Sequence, residues 1–180
     1  MLKIVKDNQP SLRAKCREVE LPLSEENDKL IHEMHEYLVK SQDDEYASKH
    51  HIRSGVGLAA PQVGKSLRML VIYYEKEEGK YVSYALVNPK VYATSIRECY
   101  IGSGEGCLSV DKDHEGYVYR HFKIRLKAYD AFAKKEIDIV ARGYDAVVLQ
   151  HELDHLDGIL YYDHIDKDRP FLKKENAVEI

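Results

Sequence analysis

No stretch of this chain approaches the roughly 18 consecutive apolar residues of a membrane span. The opening Met1-Leu2-Lys3-Ile4-Val5-Lys6 holds no long apolar run either, and both absences predict a soluble protein that is neither membrane-bound nor secreted. Cysteine is scarce: Cys16, Cys99 and Cys107 are an odd number in no framework spacing. That excludes a disulfide scaffold and predicts a reducing compartment, the cytoplasm, where a thiolate is free to bind metal. Blocks of basic residues are missing at a net charge of −4, which excludes direct reading of nucleic-acid sequence. Repeats and low-complexity segments are absent too. What remains is 180 residues at 44% hydrophobic composition, enough for one domain, 1–180, with a real core.

The stretch that organises the chain is Gln150-His151-Glu152-Leu153-Asp154-His155-Leu156-Asp157-Gly158, which contains His-Glu-x-x-His. With 9 His in the chain, this pattern arises by chance in roughly 4% of shuffled sequences, so alone it does not decide the matter. Its surroundings do more. If the stretch is helical, His151 and His155 lie one turn apart, about 6 Å along the axis, and both imidazoles can reach one ion. Val148 and Tyr144 continue that side, while Ala146, Leu149, Leu153 and Leu156 occupy another. A helix apolar nearly all the way round is central and buried, and Gly143 and Gly158 mark its boundaries. Two buried histidines need partners, because polar groups buried unsatisfied are costly. Glu152 sits at the edge of their face, too strained to be a third ligand but placed to take a proton from metal-bound water.

Upstream, Ser24 reads as an N-cap before an acidic first turn, Glu25 and Glu26. Leu30, Ile31, Met34 and Leu38 then form the stripe of an amphipathic helix running toward Lys40. His32 and His35 on that helix, and His50 and His51 after it, read as solvated surface histidines, since no third ligand type accompanies them. Gly55 to Gly64 gathers small residues that permit close backbone approach. It is either a plain turn or a tight loop that pairs with a ligand chain and presents Gln62 as a donor; the spacings of a phosphate loop are missing. Strands are predicted over residues 69–74, 81–87, 90–100, 117–129 and 136–141, with turns at Glu78-Gly79, Asn88-Pro89 and Gly102 to Gly106. Short connections favour antiparallel pairing. The expected fold is therefore α+β: antiparallel sheets packed around the central His-Glu-x-x-His helix, with the amphipathic helix outside and residues 174–180 as a last short strand.

Cys107 lies in a glycine-flanked bend, Gly104-Glu105-Gly106-Cys107-Leu108-Ser109-Val110, that can bring a thiolate to the helix. Cys99 falls inside a predicted strand, where a small buried hydrophobe is the default, and Cys16 in the lead-in. Cys107, His151 and His155 would supply three ligands and leave one position open, the arrangement of a catalytic site.

Three stretches, Gly55 to Gln62, Glu105 to Ser109 and His151 to His155, together resemble in order and type the motifs of the peptide deformylase family. Leu86 to Pro89, Val118-Tyr119-Arg120 and Ile124 to Asp130 are similar to that family as well. The resemblance implies hydrolytic removal of the formyl group from N-formylmethionine of newly made polypeptides, with release of formate. It implies Cys107, His151 and His155 as holders of one divalent ion and Glu152 as general acid and base. The Leu108 amide and the Gln62 side chain would stabilise the carbonyl oxygen, and Val56 and Gly57 would bind the substrate backbone. Ferrous iron is the family's usual ion, with zinc or nickel in its place.

The chemistry is consistent with that expectation. A divalent ion lowers the pKa of its water toward about 7, hydroxide attacks the formyl carbon, and Glu152 passes the proton to the departing amine. Tyr144, Val147 and Val148, one or two turns before His151, can wall an apolar pocket for a methionine side chain. Two departures from the family stand out. The turn after Asp130 lacks a glycine, which predicts a longer hairpin, and the tail resembles the subtype ending in a strand, so ribosome contact through a terminal helix is not expected. The partners implied are formylated nascent peptides and a transient ribosome contact, with a monomer as the working unit. Two rivals remain: a zinc metallopeptidase using His164 as third ligand, and a non-catalytic metal-binding adaptor in which Glu152 is idle.

Overall fold

The computed structural model describes residues 2–180; Met1, the first residue of the single domain expected over 1–180, lies outside the described residues. In chain order the elements are α1 (Glu25–Ser41), α2 (Asp44–His50), β1 (Gly57–Ala59), β2 (Met69–Glu77), β3 (Lys80–Thr94), β4 (Glu98–Tyr100), β5 (Arg120–His121), β6 (Lys123–Asp130), β7 (Lys135–Arg142), α3 (Tyr144–Leu156) and β8 (Ala177–Glu179). Five strands form one antiparallel sheet in the order β1-β2-β3-β6-β7, and three form a second in the order β5-β4-β8. No helix among the described residues is long and apolar enough to cross a membrane.

The run Met69 to Tyr74 explains how the large sheet is covered. Side chains alternate between faces along a strand. Met69 and Val71 pack with Leu30, Ile31, Met34 and Leu38 of α1. Leu70, Ile72 and Tyr74 pack on the other face with Ala146, Leu149, Leu153 and Leu156 of α3. Both faces are buried, so β2 reads as a continuous apolar run and not as an alternating one. Each fully buried Leu, Ile or Met contributes roughly 1.5–3 kcal/mol. Helices α1 and α3 arise as the sequence predicts: the Ser24 hydroxyl accepts from the Asn27 amide at 3.2 Å, and α3 runs between Gly143 and Gly158. Gly158 has φ 75°, and a Cβ there would collide with the Arg13 backbone carbonyl group, 2.5 Å from its oxygen.

Several expected boundaries move. Asn88-Pro89 is not a turn but an irregularity inside β3, where pairing with β6 slips between Val87 and Lys90. Asn88 tolerates φ 52° and uses its side-chain amide to bind both the N–H and the C=O of Val19 at 2.8 Å. The strand expected over residues 90–100 splits, because β3 ends at Thr94 and β4 joins the second sheet. That expected over residues 117–129 shrinks to β5 and β6, interrupted at Phe122, whose amide bonds Arg97 instead. The short helix α2 was not foreseen; Asp43 caps it by accepting from the Tyr46 amide at 2.8 Å. β8 pairs with β4 in parallel, the exception to antiparallel pairing. The hairpin after Asp130 closes through residues 131–134, with Lys134 at φ 52° in the place a glycine would take.

Candidate active site

Three parts of the fold meet at a cleft of about 380 Å³. β1 is the edge strand of the large sheet, paired only with β2, and Val56 and Gly57 line the cleft at that edge while the Ala59 amide is taken by Gln62. α3 supplies Tyr144, Val147, Val148, His151 and Glu152. The bend between β4 and β5 supplies Cys107 and Leu108. A helix presents residues at i, i+3, i+4 and i+7 on one side, which is why Tyr144, Val147, Val148 and His151 share a wall.

Ligand atoms of Cys107, His151 and His155 all lie within 4.8 Å of one another. Cys107 Sγ is 3.3 Å from His155 Nε2. On His151, Nδ1 lies 2.8 Å from Glu105 Oε2. An ionised carboxylate only accepts, so Nδ1 donates and Nε2 is the nitrogen that remains for a cation. Burial holds His155 well below the ordinary imidazole range, which keeps it neutral. One sulfur and two imidazole nitrogens fit zinc, iron or nickel, and three protein donors is the number found around a catalytic ion.

Glu152 is 3% exposed, and burial pushes its carboxyl up to about 7. Its Oε2 has no hydrogen-bond partner among the described residues. An unpartnered buried oxygen is costly unless it is used, and here it sits beside the three ligands in the cleft. A Cβ on Gly57 would overlap the Glu152 carboxylate, so any larger residue there would have to displace it. Gln62 is held in one orientation: its Oε1 accepts from the Ala59 amide at 2.8 Å, which turns Nε2 toward Cys107 Sγ at 3.5 Å and Ser109 Oγ at 3.2 Å.

Behind the ligands lies a buried ionic cluster. Arg120 donates from Nε and Nη2 to the two oxygens of Glu105 at 2.6 and 2.9 Å, and from Nη1 to Asp154 Oδ2 at 2.8 Å. Burial alone would raise the Glu105 carboxyl, but its bonds from Arg120 and His151 outweigh that and bring it to about 2.

A family model described as polypeptide deformylase matches residues 1–171. The chain belongs to the polypeptide deformylase family. Among curated relatives, a peptide deformylase of Macrococcus caseolyticus is 45% identical over 100% of this chain and 98% of its own length. A peptide deformylase 2 of Bacillus subtilis is 46% identical, covering 100% and 97%. A solved structure of a probable peptide deformylase from synechococcus phage S-SSM7 superposes with TM-score 0.74 at 35% identity, covering 92% of this chain and 100% of that one. The plant peptide deformylase PDF1B superposes with TM-score 0.75 at 30% identity, covering 93% and 82%.

Within this deformylase fold, the residues singled out from the sequence converge. Val56, Gly57, Gln62, Cys107, Leu108, Tyr144, Val147, Val148, His151 and Glu152 line one cleft, and His155, fully buried, lies with its Nε2 3.3 Å from the Cys107 sulfur. His164 does not join them: its Nε2 bonds Asp154 Oδ2 at 2.7 Å, which removes the metallopeptidase's third ligand. His32 and His35 bond the Asp28 carbonyl at 2.7 Å and the Ser83 hydroxyl at 2.9 Å, and His50 packs at a tilt of 34° against Tyr46. Roles for Glu105, Arg120, Asp154 and Ser109 were missed. No spacing rule pointed to Arg120, because β5 holds only Arg120–His121 and breaks off at Phe122 before β6 begins in the other sheet.

Proposed function

We propose that this chain, as one catalytic domain over 1–180, removes the formyl group from N-formylmethionine of newly made polypeptides and releases formate. The reading is carried by the convergence of the Cys107 sulfur with two imidazoles within 4.8 Å beside the unpartnered Glu152 oxygen. Cys107, His151 and His155 hold one divalent ion. When bound, that ion supplies Lewis acidity, activating water and polarising the formyl carbonyl.

The chain's own residues do the rest. The free edge of β1 pairs with the substrate backbone through Val56 and Gly57, adding a short strand to the sheet. The first side chain of the peptide enters between Tyr144, Val147 and Val148; the two valines are buried and Tyr144, 43% exposed, forms the rim. Gln62 Nε2 and the Leu108 amide donate to the carbonyl oxygen as negative charge builds on it, each worth about 3 kcal/mol in comparable hydrolases. Glu152 takes a proton from the attacking water and returns it to the nitrogen as the carbon–nitrogen bond breaks. Formate and a free amino terminus leave.

Ferrous iron is the physiological ion; the thiolate and imidazole donors accept zinc or nickel equally. All three cysteines are free, consistent with a cytoplasmic protein. A monomer suffices, since every residue of the site comes from one chain. Ribosome contact is transient.

Elemental analysis of anaerobically purified protein, coupled to formate release from formyl-Met-Ala-Ser, tests the whole reading. Cys107→Ser should abolish both metal retention and turnover. Survival of both would defeat it.

A further inference from the structure

His164 lies outside the catalytic cleft, yet one continuous run of hydrogen bonds joins it to His151. Its Nε2 is 2.7 Å from Asp154 Oδ2, and that same oxygen accepts from Arg120 Nη1 at 2.8 Å. The other two nitrogens of Arg120 clamp Glu105 at 2.6 and 2.9 Å, and Glu105 Oε2 holds His151 Nδ1 at 2.8 Å. Donor and acceptor roles are fixed at every link. The carboxylates can only accept and the guanidinium can only donate, so His164 Nε2 carries a hydrogen. Arg120 and Glu105 are buried, with 3% of each side chain exposed, and cannot exchange these partners for water. His164 is 34% exposed and, with Asp154, borders a second cavity of about 380 Å³ on a different face of α3.

We infer that His164 is a positioning residue for the metal centre, acting through Asp154, Arg120 and Glu105 to fix the ring of His151. The inference rests on Cys107, His151 and His155 holding a divalent ion. The physical reason is that Asp154 fixes where the third nitrogen of Arg120 points. The planar guanidinium then sets the plane of Glu105, and that carboxylate orients the ligand ring. Without the His164 donor, one anchor of the Asp154 carboxylate is lost and the angular freedom is passed inward.

The turn that carries His164 also lays Tyr161 against His151, ring centroids 6.1 Å apart, so a purely structural route must be separated from the hydrogen-bonded one. The measurement is the rate at which the zinc-loaded full chain releases zinc to excess chelator, with kcat and KM for formate release alongside. His164→Ala should speed release about fivefold to tenfold and lower kcat with KM unchanged. His164→Gln, whose amide nitrogen can reach Asp154, should return both to within about twofold of the starting protein. In an Asp154→Ala background the His164→Ala change should have no added effect, because the link it acts through is gone. Release at the starting rate in His164→Ala overturns the inference, and so does an equal defect in His164→Gln. A full added effect in the Asp154→Ala background assigns the influence to Tyr161 and overturns it too. Starting protein that takes up no zinc overturns the metal reading as well, whereas zinc-replete protein indifferent to His164 overturns this inference alone.

Discussion

At the scale of single residues, Glu152 and Gly57 are a matched pair. The carboxylate occupies the space that any side chain at 57 would need. Glu152→Gln keeps the volume and removes the base, so kcat should fall by about 10²–10⁴-fold with metal content unchanged by elemental analysis. Unaltered turnover would mean that Glu152 is idle, as in a metal-binding adaptor. Gly57→Ala should displace the carboxylate and lower kcat at least tenfold, while thermal unfolding moves little; wild-type kcat in that variant would show that the Glu152 position is not critical. Glu105 makes a pH prediction. Its carboxyl is held at about 2 in the folded chain against an ordinary 4.5, so the unfolded chain binds its proton first as pH falls. The stabilisation is complete above pH 4.5 and is lost as pH falls toward about 2, on the order of 3 kcal/mol in all. Denaturant titrations of Glu105→Gln should show a shallower acid decline over that interval, and lower stability at neutral pH because Arg120 keeps its buried charge with one partner fewer.

At the scale of elements, α3 has two tasks. One side seals the large sheet through Ala146, Leu149, Leu153 and Leu156, and the other carries the chemistry. Leu126 on β6 is fully buried in the seam between them. Truncation to alanine there should cost about 2–5 kcal/mol in a denaturant titration. Zinc stoichiometry should stay at the starting value, since His151 is held by Glu105 and His155 lies against the Cys107 sulfur of the β4–β5 bend. Loss of zinc in proportion to stability would show instead that sheet packing alone positions the histidines. β1 shows the complementary economy. As the edge strand it pairs on one side only; the Ala59 amide on the other side is taken by Gln62, and Gly57 is turned toward the cleft.

At the scale of the molecule, the site draws on residues 56–62, 105–109 and 144–155, so an ion held there ties distant segments together. Chelation should therefore lower the unfolding temperature as well as abolish turnover, and zinc should restore both, because an ion that binds only the folded chain stabilises it by mass action. A melting curve indifferent to chelator would argue against a shared ion. Iron-loaded protein should lose activity in air while zinc-loaded protein keeps it, since ferrous iron is oxidised by air, drawing the Cys107 thiolate with it, and zinc has no redox change to undergo. Equal aerobic lifetimes would count against iron.

Much of this was legible in the residues themselves. The one-turn spacing of His151 and His155, the apolar girth of α3, the glycine bend at Cys107 and the small residues at 55–64 are local patterns, and helix and strand periodicity translates them directly into geometry. Family motifs supplied the roles. Pairing partners were not legible: whether Asn88-Pro89 turns or merely bulges, and which sheet receives residues 98–100, depends on which distant strands offer free backbone groups. The ionic cluster was hidden for the same reason. Glu105, Arg120, Asp154 and His164 are scattered along the chain and carry no spacing rule, and only the packing of β5, the bend and α3 gave each charge a partner that made its burial tolerable.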